Sequence, residues 1–376
     1  MTALEVSVLP VDTRTDVELD ELLASCPTSF AQQTRHWRNV ITGLGVDTPL
    51  FLGCRSAGRL VGVLPAYRFE GPLGAILTSA AQAGSLGGVT VRAGEEEEPI
   101  YAGLIRAFIA LAEERGCAVA SVISNPIWPD VGWYERFFEA DFSLENSCLV
   151  LDLDEALGAD GEIVGASSNL RRNLRRARSG ALSIDETQSR ENVDTWYEIH
   201  RARHTEIGAT VLPKGLFVGA LDHMVPNGTG RFFFVRETDS GHMVAGGLYV
   251  AHEDVIDALM PSMRTDTAKL APNFLLAMHS ITWARSNGIR YYNWQASPPQ
   301  GGVDRFKRQW GSRDHVYCYF SRITGDVSRI LSSDPAEISR AYPWHYVLPF
   351  DQLGAAGSSS TASTRASAWK ARESAH

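Results

Sequence analysis

Apolar and polar residues alternate over residues 4–11 and predict a strand, after which residues 16–24 and 30–44 carry helical spacing. Alternating runs at 49–54 and 59–67, separated by the turn 55–58, predict a hairpin, and a short run at 75–79 leads into a glycine-rich loop, 84–94. Over residues 99–115, Leu104, Ile105, Phe108, Ile109, Leu111 and Ala112 recur at helical intervals, with Gly116 placed to cap the end. A buried strand at 118–124, a short helix at 133–139 and a closing strand at 148–153 complete the pattern.

The second half repeats this order. A strand at 181–186 precedes helices at 193–206 and 214–224, a hairpin of 230–237 with 243–251, and a third strand at 255–260. A loop over 264–271 leads to a long helix, 272–286, and then strand 290–295, short helix 303–310 and strand 316–323. Order and spacing match element for element, which predicts an α/β chain built by structural duplication. The expected domains are 1–158 and 159–352, followed by a Ser-, Ala-, Thr- and Gly-rich disordered tail, 353–376, too poor in apolar surface to repay ordering.

Composition agrees with two packed cores: 376 residues exceed what one core usually supports, and 44% are hydrophobic. A net charge of -9 excludes wholesale coating of nucleic acid, which needs a basic surface. Cys26, Cys54, Cys117, Cys148 and Cys318 are scattered, with no C-x-x-C pair and no metal-ligand spacing, and are expected to be reduced, with no metal bound. Neither a signal peptide nor a transmembrane segment is legible, so the cytoplasm is the expected compartment. Sequence leaves the oligomeric state open.

One dense basic cluster stands out in this acidic chain. Arg171, Arg172, Arg175 and Arg176 share a helix face between the two halves. They read either as a solvated connecting helix or as a site for phosphate groups, including those of an RNA acceptor stem.

Three local patterns carry a resemblance. The basic helix 169–178 runs through Ser179-Gly180 into a strand; the stretch 262–276 ends Ala271-Pro272-Asn273-Phe274-Leu275-Leu276; and 291–311 ends Phe306-Lys307-Arg308-Gln309-Trp310-Gly311. In this order, on a duplicated β-α-α-β-β-β-α-β-α-β pattern, the chain resembles the Fem-type peptidyltransferases and their tandem Gcn5-related N-acetyltransferase (GNAT) relatives. The resemblance implies two tandem GNAT-like units, each a mixed, splayed β-sheet flanked by helices, with the chemistry in the second.

It also implies amide formation. An acyl or aminoacyl group would pass from a thioester or an aminoacyl-tRNA to an amine of a small-molecule or peptide acceptor, with no tightly bound cofactor. By resemblance Phe306 and Lys307 lie in the cleft, where an ammonium can stabilise the oxyanion of acyl transfer. The alternative for Lys307 is a helix-surface lysine. The attacking amine must lose a proton, and Asp257 and Tyr249 are the candidate bases, with His204, His252 and Glu253 nearby in sequence. Asp257 sits in an apolar strand, where an uncompensated carboxylate is costly, so it either serves chemistry or pairs with an arginine or a loop.

For substrate contacts the sequence offers Arg264, Lys269, Asn273, Arg305 and Trp310, with Asn293 and Gln295 at a strand end. GNAT enzymes hold the coenzyme A pyrophosphate on a glycine-rich loop at a helix start. The first unit has such glycines but follows them with Glu95-Glu96-Glu97-Glu98, and the second has Arg264 to Asn273 with no glycine. Both departures favour aminoacyl-tRNA or a carrier-protein thioester over acyl-CoA as co-substrate.

Overall fold

A computed structural model describes residues 3–82, 85–296 and 300–348. Gly84, the last residues of the second expected domain and the whole predicted tail, 353–376, lie outside the described residues.

The first half forms β1 (Leu4–Val8), α1 (Thr13–Ala24), α2 (Arg35–Leu44), β2 (Asp47–Pro49), β3 (Leu52–Ser56), β4 (Arg59–Leu64), β5 (Tyr67–Gly71), β6 (Gly74–Thr78) and β7 (Thr90–Val91). It continues with α3 (Glu97–Glu114), β8 (Val119–Ile123), α4 (Val131–Phe137) and β9 (Phe142–Asp152). Two connecting helices follow, α5 (Leu153–Ala156) and α6 (Ser168–Ala177). The second half runs β10 (Leu182–Asp185), α7 (Arg190–Glu206), α8 (Lys214–His223), β11 (Gly230–Glu237), β12 (Met243–His252), β13 (Val255–Met263), α9 (Pro272–Ser286), β14 (Tyr291–Asn293), α10 (Gly302–Arg308) and β15 (Arg313–Ile323), and then α11 (Ser328–Ser332) and α12 (Pro335–Ala341). The result is two units in tandem, each a mixed, splayed sheet flanked by helices.

Two expected elements are divided, for identifiable reasons. The segment 30–44 is a 3-10 turn, Ala31–Gln33, and then α2, because the Thr34 hydroxyl accepts a bond from the Trp37 amide and starts a new helix. The run 59–67 breaks at Pro65-Ala66, and its two parts enter different sheets: β4 pairs with β3 and β7, while β5 pairs with β2 and β6. The β3–β4 hairpin itself turns through Ala57 and Gly58, both at positive φ (49° and 80°), the backbone of a tight primed turn.

The small sheet has the order β1-β3-β4-β7, and the large one runs β10-β11-β12-β13-β14-β9-β15-β8-β6-β5-β2. In the large sheet the halves exchange their closing strands. β9, from the first half, lies against β14 of the second, and β15, from the second, lies against β8 of the first. The two exchanged strands pair with each other from Phe142↔Ser321 to Val150↔Arg313, which fuses the two sheets into one.

Each unit splays beside a short parallel pair. β13 and β14 pair only from Val255↔Tyr291 to Asp257↔Asn293, after which β13 continues alone on that side through a bulge at Met260 (φ 61°) and Pro261. β6 and β8 pair from Ile76↔Val119 to Thr78↔Ser121. The first splay is filled by the chain itself. Tyr342, Val347 and Leu348 pack on Ile76 and Val119, His345 Nε2 meets Asp47 Oδ1 at 2.8 Å, and Ser321 Oγ donates to the Val347 carbonyl. A void of about 50 Å³ remains there, between Thr78, Ser121, Trp344 and Tyr346.

The cores also join the halves. Trp37, Val40 and Ile41 of α2 share one cluster with Trp196 of α7, Leu216 and Phe217 of α8 and Leu248 of β12. On the other face of the second sheet, Leu276 and Ile281 of α9 pack with Phe233, Ile256 and Tyr292, and Leu170 and Leu174 of α6 complete the layer.

Candidate active site

Asp257 lies at the last paired residue of β13, at the mouth of the second splay, and is 1% exposed. Of the partners sequence offered, it has no arginine among the described residues but does meet a loop residue, Gln295, just beyond β14. Three side-chain amides hold it instead. Asn293 Nδ2 and Gln295 Nε2 donate to Oδ1 at 2.6 and 2.9 Å, and Gln32 Nε2 donates to Oδ2 at 2.9 Å. Burial pushes the carboxyl up to about 7, although the three amides favour its charged form.

The β14 side of the site is built by register and by one unusual backbone. Asn293 stands opposite Asp257 in the parallel pair, and Gln295 takes a positive φ of 64°, with its amide N–H donating to Asn293 Oδ1. That geometry gives Gln295 two roles. Its side chain reaches Asp257, and its carbonyl, with that of Ala296, accepts from Lys307 Nζ at 2.9 and 3.0 Å.

Lys307 is therefore not a surface residue. It is 7% exposed, and burial lowers its ammonium to about 8. An ammonium has three N–H donors, and two are engaged here. Cys148, on the exchanged strand β9, shares the field of both Asp257 and Lys307, and burial raises its thiol. Phe306 fixes α10 from the other side, packing on Phe274 at 5.1 Å and on Trp294 at 5.9 Å, with Trp310 fully buried behind it.

The structure brings together Asp257, Asn293, Gln295 and Lys307, and separates the other candidates from them. Tyr249 pairs with Ala258, so it points to the opposite face of the sheet, under α9 against Phe233 and Tyr292. His204 faces the Thr210 carbonyl and the ring of His200, Glu253 sits in the β12–β13 turn, and His252 meets Ser29 Oγ at 2.8 Å with its imidazole lowered to about 4 by burial. Arg264 pairs with its neighbour Asp266, Lys269 is exposed, Arg305 donates to the Gln300 carbonyl, and Trp310 is a core residue. Asn273, in the first turn of α9, keeps a buried Oδ1 with no partner among the described residues.

Gln32 is the site residue that sequence reading missed. The helical spacing of 30–44 places it inside a continuous helix, whereas it belongs to the 3-10 turn.

The two helix starts differ from a phosphate cradle. The loop Arg264–Ala271 is wound into a 3-10 helix, Thr265–Leu270, and ends with Ala271 at positive φ before Pro272, which has no N–H. In the first unit Gly88 serves close packing: a Cβ there would overlap the Tyr134 hydroxyl and the Ile123 carbonyl. Glu95, Glu97 and Glu98 there hold Arg59, the Trp133 indole and Arg136. A cavity of about 270 Å³ lies beside this loop, lined by Cys26, Thr28, Arg92, Glu97, Asn125 and Trp128 among others. On α6, Arg171, Arg172, Arg175 and Arg176 are exposed and have no carboxylate partner among the described residues.

Residues 165–308 match the family model of an acetyltransferase (GNAT) domain. The second unit is a GNAT domain. Across both units the fold is that of tandem GNAT proteins. The crystal structure of FemX superposes with a TM-score of 0.64 over 84% of this chain and 97% of that one, at 13% identity. A tandem GNAT protein from the clavulanic acid biosynthesis pathway gives 0.54 over 86% and 99%, also at 13% identity. The C-terminal domain of a putative lysylphosphatidylglycerol synthetase from Agrobacterium fabrum gives 0.55 over 90% and 100%, at 13% identity. No curated protein matches the sequence. No helix among the described residues is long and apolar enough to cross a membrane.

Proposed function

We propose that the chain is an N-acyltransferase that moves an acyl or aminoacyl group onto an amine of a small-molecule or peptide acceptor. One observation carries this reading: Gln295 holds a buried carboxylate by its side chain and a buried ammonium by its carbonyl, at the splay of a GNAT domain. Acyl transfer to an amine needs that pair. The nitrogen attacks the ester or thioester carbonyl while Asp257 takes its proton, and the remaining N–H of Lys307 meets the oxyanion. Collapse breaks the C–O or C–S bond, and Asp257 returns the proton to the leaving oxygen or sulfur. Titration of Asp257 at about 7 suits a group that must both take and give a proton near neutrality.

The favoured donors are aminoacyl-tRNA and a carrier-protein thioester. The wound loop before α9, the missing N–H at Pro272 and the four glutamates that follow the glycine loop of the first unit all argue against a coenzyme A pyrophosphate cradle. The α6 arginines, with no carboxylate partner among the described residues, fit a phosphate backbone, and α6 packs through Leu170 and Leu174 in the layer beneath α9. Asn273, Arg264 and Lys269 border the same helix start as acceptor or donor contacts.

The test is transfer of radiolabel from aminoacyl-tRNA, a carrier-protein thioester or acyl-CoA to a panel of amines by the full chain. Transfer from acyl-CoA alone selects an N-acetyltransferase, and no transfer with retained RNA binding selects a non-catalytic binding protein. Lys307→Ala is expected to lower kcat by about 100-fold or more, the usual cost of an oxyanion donor. Unchanged turnover removes Lys307 from the chemistry. Replacing the four α6 arginines by alanine is expected to weaken tRNA binding and flatten its salt dependence.

A further inference from the structure

Besides Cys148 of the exchanged strand β9, the first unit reaches into the site of the second through Gln32. Gln32 lies in the 3-10 turn Ala31–Gln33, is 3% exposed, and donates from Nε2 to Asp257 Oδ2 at 2.9 Å. The other two amides, from Asn293 and Gln295, both serve Oδ1. Oδ2, the oxygen left for a substrate proton, has one protein donor among the described residues, and that donor comes from the other half of the chain.

The turn is fixed for this task from behind. Gln33, the next residue, accepts from the Phe30 amide and donates to the Gly88 carbonyl and to Thr90 Oγ1. One glutamine thus anchors the turn to the first unit while its neighbour extends from the same turn to the second. Gln32 Oε1 is buried with no hydrogen-bond partner among the described residues. A residue placed for packing alone would be apolar, because an idle buried carbonyl is destabilising. The orientation follows from charge: an ionised carboxylate requires the N–H₂ end towards it.

We propose that Gln32 is a positioning residue for Asp257, so that the first unit sets the orientation and proton affinity of the carboxylate in the second unit's site. This rests on the acyltransferase reading for its meaning but not for its test. Among the described residues Cys148 of β9 is the titratable group in the carboxylate's field, and Lys307 of α10 is joined to it through Gln295; the 3-10 turn and β14 contribute amides, and β12 contributes Val250 opposite. No charged side chain hydrogen-bonds to it among the described residues, which leaves Gln32 a lever with little competition.

The experiment follows the Asp257 carboxyl by ¹³C NMR across pH in the full chain, with Asp257→Asn for assignment. Gln32→Met keeps the length and loses the donor, and the titration midpoint is expected to rise by about one unit, a tenfold change in proton affinity. An unchanged midpoint with a lowered Tm assigns Gln32 to packing and overturns the proposal. In the wild type, the Gln32 side-chain amide signal is expected to move with the same midpoint as the Asp257 carboxyl. An amide signal that ignores that titration overturns the proposal even if Gln32→Met does not fold. With a substrate in hand, the acid limb of kcat is expected to shift with the midpoint. A shifted midpoint beside an unshifted limb supports the role of Gln32 and removes Asp257 as the base.

Discussion

Asp257 shows how a residue's surroundings decide its meaning. In sequence it is a carboxylate in an apolar strand, costly unless compensated. In the fold it is compensated by dipoles and by no opposite charge, so burial wins and its midpoint rises to about 7. The folded state therefore binds this proton more tightly than the unfolded chain, whose carboxyl titrates near ~4. Its contribution to stability is present below pH ~4 and is lost as pH rises to about 7, by on the order of 4 kcal/mol. Asp257→Asn should abolish that loss, because an asparagine carries no charge and Gln32 can turn its carbonyl towards the new amide. Urea midpoints at pH 5 and pH 8 check this: the variant's two values should lie closer together than the wild type's, and an equal gap would place the titration elsewhere. Lys307 is complementary. Burial lowers it to about 8 while two carbonyls hold its ammonium, so activity that depends on its charge should fall above that pH.

At the scale of elements, the decisive feature is a break. Thr34 caps α2 and leaves Ala31–Gln33 as a separate 3-10 turn, and that turn presents Gln32. Thr34→Ala is expected to cost about 1 kcal/mol, measured as a fall in Tm, and to shift the Asp257 titration by loosening the turn. Most elements were legible because hydrophobic period is a local property: α9 spans Pro272–Ser286, as predicted. The break was not legible, since threonine also occurs inside helices and only tertiary contacts select the cap. Tyr249 illustrates the same limit. Its strand was evident, but register with Ala258 determines its face, and that register is set by the two-residue turn Glu253-Asp254 between His252 and Val255.

For the whole molecule, exchange of β9 and β15 makes each unit dependent on the other. A fragment beginning at residue 159 lacks β9 and leaves β14 without its neighbour in the sheet. It is expected to be insoluble or largely unfolded by circular dichroism, and a soluble cooperative fold would show the exchange to be dispensable. Ending the chain after Ala341 removes Tyr342, Val347 and Leu348 from the first splay and is expected to lower Tm by several degrees. The first splay is filled by the chain's own end, whereas the second holds the buried carboxylate of Asp257 and the buried ammonium of Lys307, on which the proposed chemistry rests.

Sequence alone determined the duplicated order of strands and helices, the two-unit architecture and Lys307 as a candidate, because periodicity and local motifs are written residue by residue. Tertiary structure decided which strands changed places, which splay was filled by the chain's own end, and that Gln32 meets Asp257 across 225 positions. Such contacts depend on packing and register between distant segments, and neither quantity is encoded in any one stretch of chain.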